Sequence, residues 1–136
     1  MKKLFWFLGI FIIIILFLVR VFLPEQTDRA LNPITEHSPF KTSIDAQQLH
    51  ETLLIGDWHA DSALWSRDLS IDNDHGHVDI PKLQKGNVAL QMFTTVTKSP
   101  SGQNYDKNET NTRDNITTLA IVQGWPIKTW TSLYER

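Results

Sequence analysis

The stretch Leu4–Leu23, LFWFLGIFIIIILFLVRVFL, constrains this chain more than any other feature. It carries one charge, Arg20, and a helix needs about 20 apolar residues to cross a bilayer core about 30 Å thick. A cleavable secretory signal has a shorter apolar core, roughly 7–15 residues, followed by small residues before the cut. Here Val21, Phe22, Leu23 and Pro24 follow instead, so the run reads as an uncleaved signal anchor with a transmembrane helix at 4–23. The competing reading is a buried core helix. A helix apolar on every side would then need surrounding protein that 136 residues hardly supply. Arg20 lies near the helix end, where its guanidinium can reach the interface, and Pro24 is expected to stop the helix just outside. Lys2 and Lys3 favour a cytoplasmic N-terminus at residues 1–3, which makes the chain single-pass and places everything after Pro24 outside the cytoplasm, in the periplasm if the source is bacterial. Arg20 and Arg29 on the far side oppose that orientation.

Beyond the anchor the charge balance changes. Three of the 13 basic residues, Lys2, Lys3 and Arg20, lie in or beside the apolar run, which leaves 10 against 15 acids from Glu25 onward, a net of −5. An acidic domain of this kind is not built to bind nucleic acid. Cysteine is absent, which excludes a disulfide framework, a thiolate zinc finger and a cysteine nucleophile together.

Residues 24–43 mix Pro24, Pro33 and Pro39 with polar residues and read as a juxtamembrane linker. Ile44–Thr52 is a short helix candidate, followed by Leu53-Leu54-Ile55, a compact apolar run that suits a buried strand ending at Asp57-Trp58-His59-Ala60-Asp61. Ile80–Lys85 is expected to form a short helix or turn with Pro81 at its start, and Val88–Val96 a second strand after a Gly86-Asn87 turn. Arg113–Gln123 has the apolar spacing of an amphipathic helix ended by Gly124, Trp125 and Pro126, and Thr129 is placed to cap another helix from Trp130. Trp130, Leu133 and Tyr134 would form an apolar stripe on it that asks for a partner surface. Two strands buried on both faces and three helices do not close a sheet. Residues 44–136 therefore look like the beginning of a larger α/β domain.

The first feature with chemical meaning is His59-Ala60-Asp61. In an extended segment residues i and i+2 point to the same side, so imidazole and carboxylate can converge on one cation at a strand end. On these residues alone, His59 can equally be a hydrogen-bonded histidine and Asp61 a helix cap, and Asp57 either orients the pair from behind or is a turn residue. The rival constellation is His75-Gly76-His77 with Asp74 and Asp79. No apolar strand precedes it, and Ser70–Gly76 is turn-like, so it reads as a solvated loop with His77 packing locally. Trp58, Trp65, Trp125 and Trp130 read as core residues. Asn108-Glu109-Thr110 and Asn115-Ile116-Thr117 match the glycosylation acceptor pattern but arise too often to carry weight. There is no Gly-rich phosphate loop and no nucleophile elbow.

The ordered segments Leu54-Ile55-Gly56-Asp57-Trp58-His59-Ala60-Asp61, Leu64-Trp65, Arg67-Asp68-Leu69, Gly76-His77-Val78-Asp79-Ile80-Pro81-Lys82-Leu83 and Gly86-Asn87-Val88-Ala89-Leu90-Gln91 resemble the start of the membrane dipeptidase family. This is the renal-dipeptidase-like group of zinc metallopeptidases, and the His-Ala-Asp version resembles its bacterial branch. The resemblance runs from about Leu53 onward. It implies an α/β fold, the N-terminal portion of a (β/α)8 TIM-type barrel preceded by one transmembrane helix, with two zinc ions and activity on dipeptides. It assigns His59 and Asp61 to one zinc. It places the bridging glutamate, two further histidines and the acid/base aspartate on later strands, so no catalytic residue falls within these 136 residues. Trp58 stands where many members have Gly, and Ala60 where many have Asn; neither departure removes a ligand. The implied chemistry is hydrolysis by a zinc-activated water, which needs His59 neutral and Asp61 ionised, so that metal affinity falls in acid. The chain alone is expected to be an inactive N-terminal fragment. Its expected partners are a dipeptide, the lipid bilayer through residues 4–23, and no nucleic acid, with a homodimer allowed. The alternative from another class is a small membrane-anchored binding or structural protein without catalysis.

Overall fold

A computed structural model describes residues 2–136. Helix α1 spans Lys2–Leu31, and every residue from Lys2 to Leu23 is exposed. It is long and apolar enough to cross a membrane. Its apolar window is not covered by the rest of the described chain. The helix does not stop at Pro24 as expected but carries it in its interior. Proline removes one intrahelical hydrogen bond and disfavours the turn before it. Residues 25–31 nevertheless stay helical. Asn32 closes the last turn, its backbone N–H on the Asp28 carbonyl at 2.8 Å and its amide on the Asp28 carboxylate at 2.7 Å, and Arg29 lies where the helix dipole favours a cation.

The chain forms two compact units, one of residues up to Thr27 with Val96–Arg136, the other Asp28–Thr95. The second holds α2 (Ile44–Thr52), β1 (Ile55–Ala60), α3 (Ile80–Lys85) and β2 (Val88–Phe93). Ser43 caps α2 by accepting the Ala46 N–H at 3.2 Å. Asp79 caps α3, with Pro81 in its first turn. β1 and β2 pair in parallel, the connection containing α3, which makes a β-α-β unit. The strands are not buried as expected. Leu54, in the apolar run that precedes β1, is 89% exposed, and Trp58, Leu90, Met92 and Phe93 are exposed as well. A parallel strand loses its apolar surface from water only when helices cover both faces, and here they do not. β2 ends at Phe93, three residues short of Val96.

In the first unit, α4 spans Asn115–Val122 and buries Ile116 and Ala120, one turn apart, on one face. Its cap, Asp114, accepts from the backbone N–H of Ile116 at 3.0 Å and of Ser99 at 2.9 Å. No helix follows Trp130. Thr129 instead closes a single 3-10 turn, Ile127–Thr129, its hydroxyl on the Pro126 carbonyl. Leu133 and Tyr134 are exposed on the turns beyond. Arg136 is the residue that orders this segment. Its guanidinium donates to the carbonyls of Thr129, Thr97 and Trp130, to the Thr117 hydroxyl and to the Asp114 carboxylate.

Candidate functional site

Because β1 and β2 are parallel, their carboxyl ends lie side by side, where open α/β sheets and barrels display their ligands. A β-bulge shapes this end. Asp57 pairs with Gln91 and Ala60 with Phe93, so three steps along β1 face two along β2 and β1 carries an extra residue. The extra residue breaks the alternation of buried and exposed side chains, and Trp58 and His59 both turn outward. The His59 imidazole is 70% exposed. Asp61 has left the strand, with φ −88° and ψ 23°, and stands at the start of a 3-10 turn, Ser62–Leu64. There its Oδ2 lies 3.2 Å from His59 Nε2. The spacing of the two residues predicts this meeting through the pleat of a regular strand. They meet instead through a bulge and a strand exit.

The neighbours of the pair hold it in place. Thr94, the first residue beyond β2, donates its backbone N–H to the Ala60 carbonyl at 3.0 Å and its hydroxyl to Asp61 Oδ1 at 2.5 Å. Asp57 Oδ1 accepts the backbone N–H of His59 at 3.1 Å. That N–H, then the Gln91 side chain, hold the Asp57 carboxyl below its ordinary range against the opposing effect of burial, with a lesser contribution from the nearby His59. Sequence reasoning named Asp57 but missed Thr94 and Gln91. The available signal was the Thr94-Thr95 pair, polar residues that close an otherwise apolar strand segment.

His59 and Asp61 fit two positions of a zinc ion. Zinc bonds to imidazole nitrogen and carboxylate oxygen are about 2.0–2.2 Å long, and the tetrahedral angle then separates two donors by about 3.3–3.5 Å. The observed 3.2 Å between Nε2 and Oδ2 is close to that separation and is also an ordinary hydrogen-bond length. Among the described residues no cluster of three or more His, Cys, Asp or Glu side chains suited to a metal is present.

The His75-Gly76-His77 segment differs from its expected form. His75 is buried, at 7% exposure, and His77 is exposed. His75 Nδ1 lies 2.8 Å from Asp74 Oδ1 and its Nε2 3.4 Å from Asp28 Oδ2, so both ring nitrogens face carboxylates. Arg67 adds a buried guanidinium 3.3 Å from Asp28 Oδ1, and Arg29 grips both oxygens of Asp74 at 2.8 Å. The Arg29 and His75 contacts lower the Asp74 pKa to about 2, against the opposing effect of burial. Two arginines already balance these carboxylates, which disfavours a metal cation among them. Asp79 serves as a helix cap, accepting the N–H groups of Lys82 and Asn73 and pairing with the Lys82 ammonium. Of the four tryptophans expected in the core, Trp58 is 70% exposed and Trp65, Trp125 and Trp130 are half-buried. The bulge that turns His59 outward exposes Trp58 with it. Comparison of the chain with protein-family models, with curated proteins and with solved structures gives no match.

Proposed function

We propose that these residues belong to a membrane-anchored, zinc-dependent dipeptidase of the renal-dipeptidase-like group, built on a (β/α)8 barrel whose first two strands are β1 and β2. The observation that carries the reading is the convergence of His59 Nε2 and Asp61 Oδ2 to 3.2 Å at the carboxyl end of a parallel strand pair. The exposed apolar side chains of both strands support it, since further strands and helices of a barrel would cover them. His59 and Asp61 would hold one zinc. Bound there, zinc supplies a Lewis acid for the scissile carbonyl and a water acidified to the neutral range. The contribution of this chain is to aim the two donors: Asp57 fixes the backbone of His59, and the strand exit sets the carboxylate. The N-terminus lies in the cytoplasm and the residues after α1 outside it, where dipeptides are met, with a homodimer as the candidate assembly. A second zinc and the remaining ligands require residues beyond these two. The 136 residues by themselves therefore bind zinc weakly and do not hydrolyse a dipeptide.

The test is a zinc titration of the full chain in detergent, followed by the heat of binding in calorimetry. The expected result is saturable binding by the native chain, absent when His59→Ala and Asp61→Ala are combined. Equal behaviour of the two proteins would refute the metal reading. It would favour a membrane-anchored binding protein without catalysis.

A further inference from the structure

We propose that Thr94 is a positioning residue that commits the Asp61 carboxylate to hold a zinc ion through one oxygen, Oδ2; this rests on the reading of His59 and Asp61 as zinc ligands. A threonine hydroxyl has one proton to give. The Thr94 hydroxyl oxygen stands 2.5 Å from Asp61 Oδ1 and 3.3 Å from the Ala60 carbonyl, and the shorter contact takes the proton. One of the two lone-pair sites of Oδ1 is thereby taken and the carboxylate is oriented, with Oδ2 facing His59 Nε2 at 3.2 Å. Thr94 can do this because it is itself held. Its backbone N–H continues the strand ladder onto Ala60, and its β-branched side chain is stiff about χ1.

The consequence is a carboxylate that cannot turn freely. An Asp61 without this hydrogen bond would rotate about its terminal torsion, which is broad, and would offer either oxygen or both. Presenting a single oxygen suits a small four-coordinate ion such as zinc, whereas calcium takes mono- or bidentate carboxylates in larger, flexible shells. Hydrogen bonds of this kind behind a metal ligand typically change metal affinity by about 10- to 100-fold. The sequence marks Thr94 as a polar residue closing the strand segment but not its partner, which lies 33 residues earlier in the chain and is brought near by the parallel pairing.

The experiment measures zinc binding to the full chain in detergent at neutral pH, by calorimetry and by the His59 ring signals, for native protein, Thr94→Val and Thr94→Ser. Valine keeps the shape and the backbone N–H but loses the hydroxyl; serine keeps the hydroxyl. Thr94→Val is expected to weaken zinc binding about 10-fold or more, and Thr94→Ser to remain within about threefold of native, in line with the usual effect of a group behind a metal ligand. Should the valine variant fail to fold, Thr94→Ala makes the same comparison with less side-chain volume. Unchanged affinity without the hydroxyl, or a serine variant as weak as the valine one, overturns the role of Thr94. A native chain that gives no zinc response overturns the metal reading itself, and the role of Thr94 with it.

Discussion

Replacing Gly76 by alanine tests the account of the buried cluster around His75. Gly76 has φ +75°, and a Cβ built there would lie 1.6 Å from the Arg67 Nη1 and 2.3 Å from its Cζ. Two costs follow. Holding a residue with a Cβ in the left-handed region costs about 1 kcal/mol. The second is larger, because the Arg67 guanidinium is only 6% exposed and must leave its place beside Asp28. Removing one partner of a buried ion pair costs about 3–5 kcal/mol, since the other charge stays buried. The total of about 5 kcal/mol is comparable with the whole stability of a small domain. The measurement is amide exchange of the Asp28–Thr95 unit, including the Ile80 N–H bonded to the Leu69 carbonyl. Gly102→Ala is the control. Its φ is +74°, and nothing lies within 4 Å of its Cβ position, so it should cost only the backbone effect, about 1 kcal/mol, in its own unit. In an Arg67→Ala background the added cost of Gly76→Ala should shrink to that same amount, a coupling a double-mutant cycle measures. Equal costs for Gly76→Ala and Gly102→Ala in the native background would refute the steric argument.

Two further outcomes follow from other charged groups. Burial works to raise the Asp114 pKa, but the Arg136 guanidinium and the N–H groups of Ser99 and Ile116 outweigh it and bring it to about 2. A depressed carboxyl pKa stabilises the fold fully above the unfolded value, about 3.9, and the contribution fades as pH falls towards about 2. The Val96–Arg136 segment should therefore lose exchange protection over that window, and Arg136→Ala should weaken the segment at neutral pH and flatten its acid dependence. Asp79 is 1% exposed, and Asp79→Ala removes the acceptor of two backbone N–H groups and the partner of Lys82. It should destabilise the Asp28–Thr95 unit by about 3 kcal/mol in thermal or denaturant unfolding, and Asp79→Asn by less, because the amide oxygen still caps α3.

What the sequence shows by itself is local. Ile44–Thr52 and Ile80–Lys85 fold as helices with the bounds their patterns predict, because Ser43, Asp79 and Pro81 act within a turn of their own position. β2 appears where apolar β-formers run together, whereas β1 covers Ile55–Ala60 and leaves Leu53 and Leu54 of the expected apolar run before it. The failures need information from elsewhere in the chain. Pro24 does not end α1, which runs on to Leu31 and closes its last turn by the Asn32 bonds to Asp28. The segment from Trp130 is not helical, because Arg136 draws the carbonyls of Thr129 and Trp130 onto one guanidinium instead of leaving them to helical N–H groups. His75 is buried because Asp28, 47 positions earlier, and Arg67 meet it, which no pattern around His75-Gly76-His77 encodes.

The same limit applies to the candidate site. The spacing of His59 and Asp61 is legible, but the bulge that turns His59 outward depends on the register of β1 against β2, which local sequence does not set. One residue added or lost in a strand moves every later side chain to the other face. A deletion that removed the extra residue before His59 would keep the spacing of His59 and Asp61 but turn both to the other face of the sheet. The chemistry of the pair therefore lies in the strand register as much as in the two side chains. Thr94 ties these together, since it continues the ladder through its backbone and holds Asp61 through its hydroxyl.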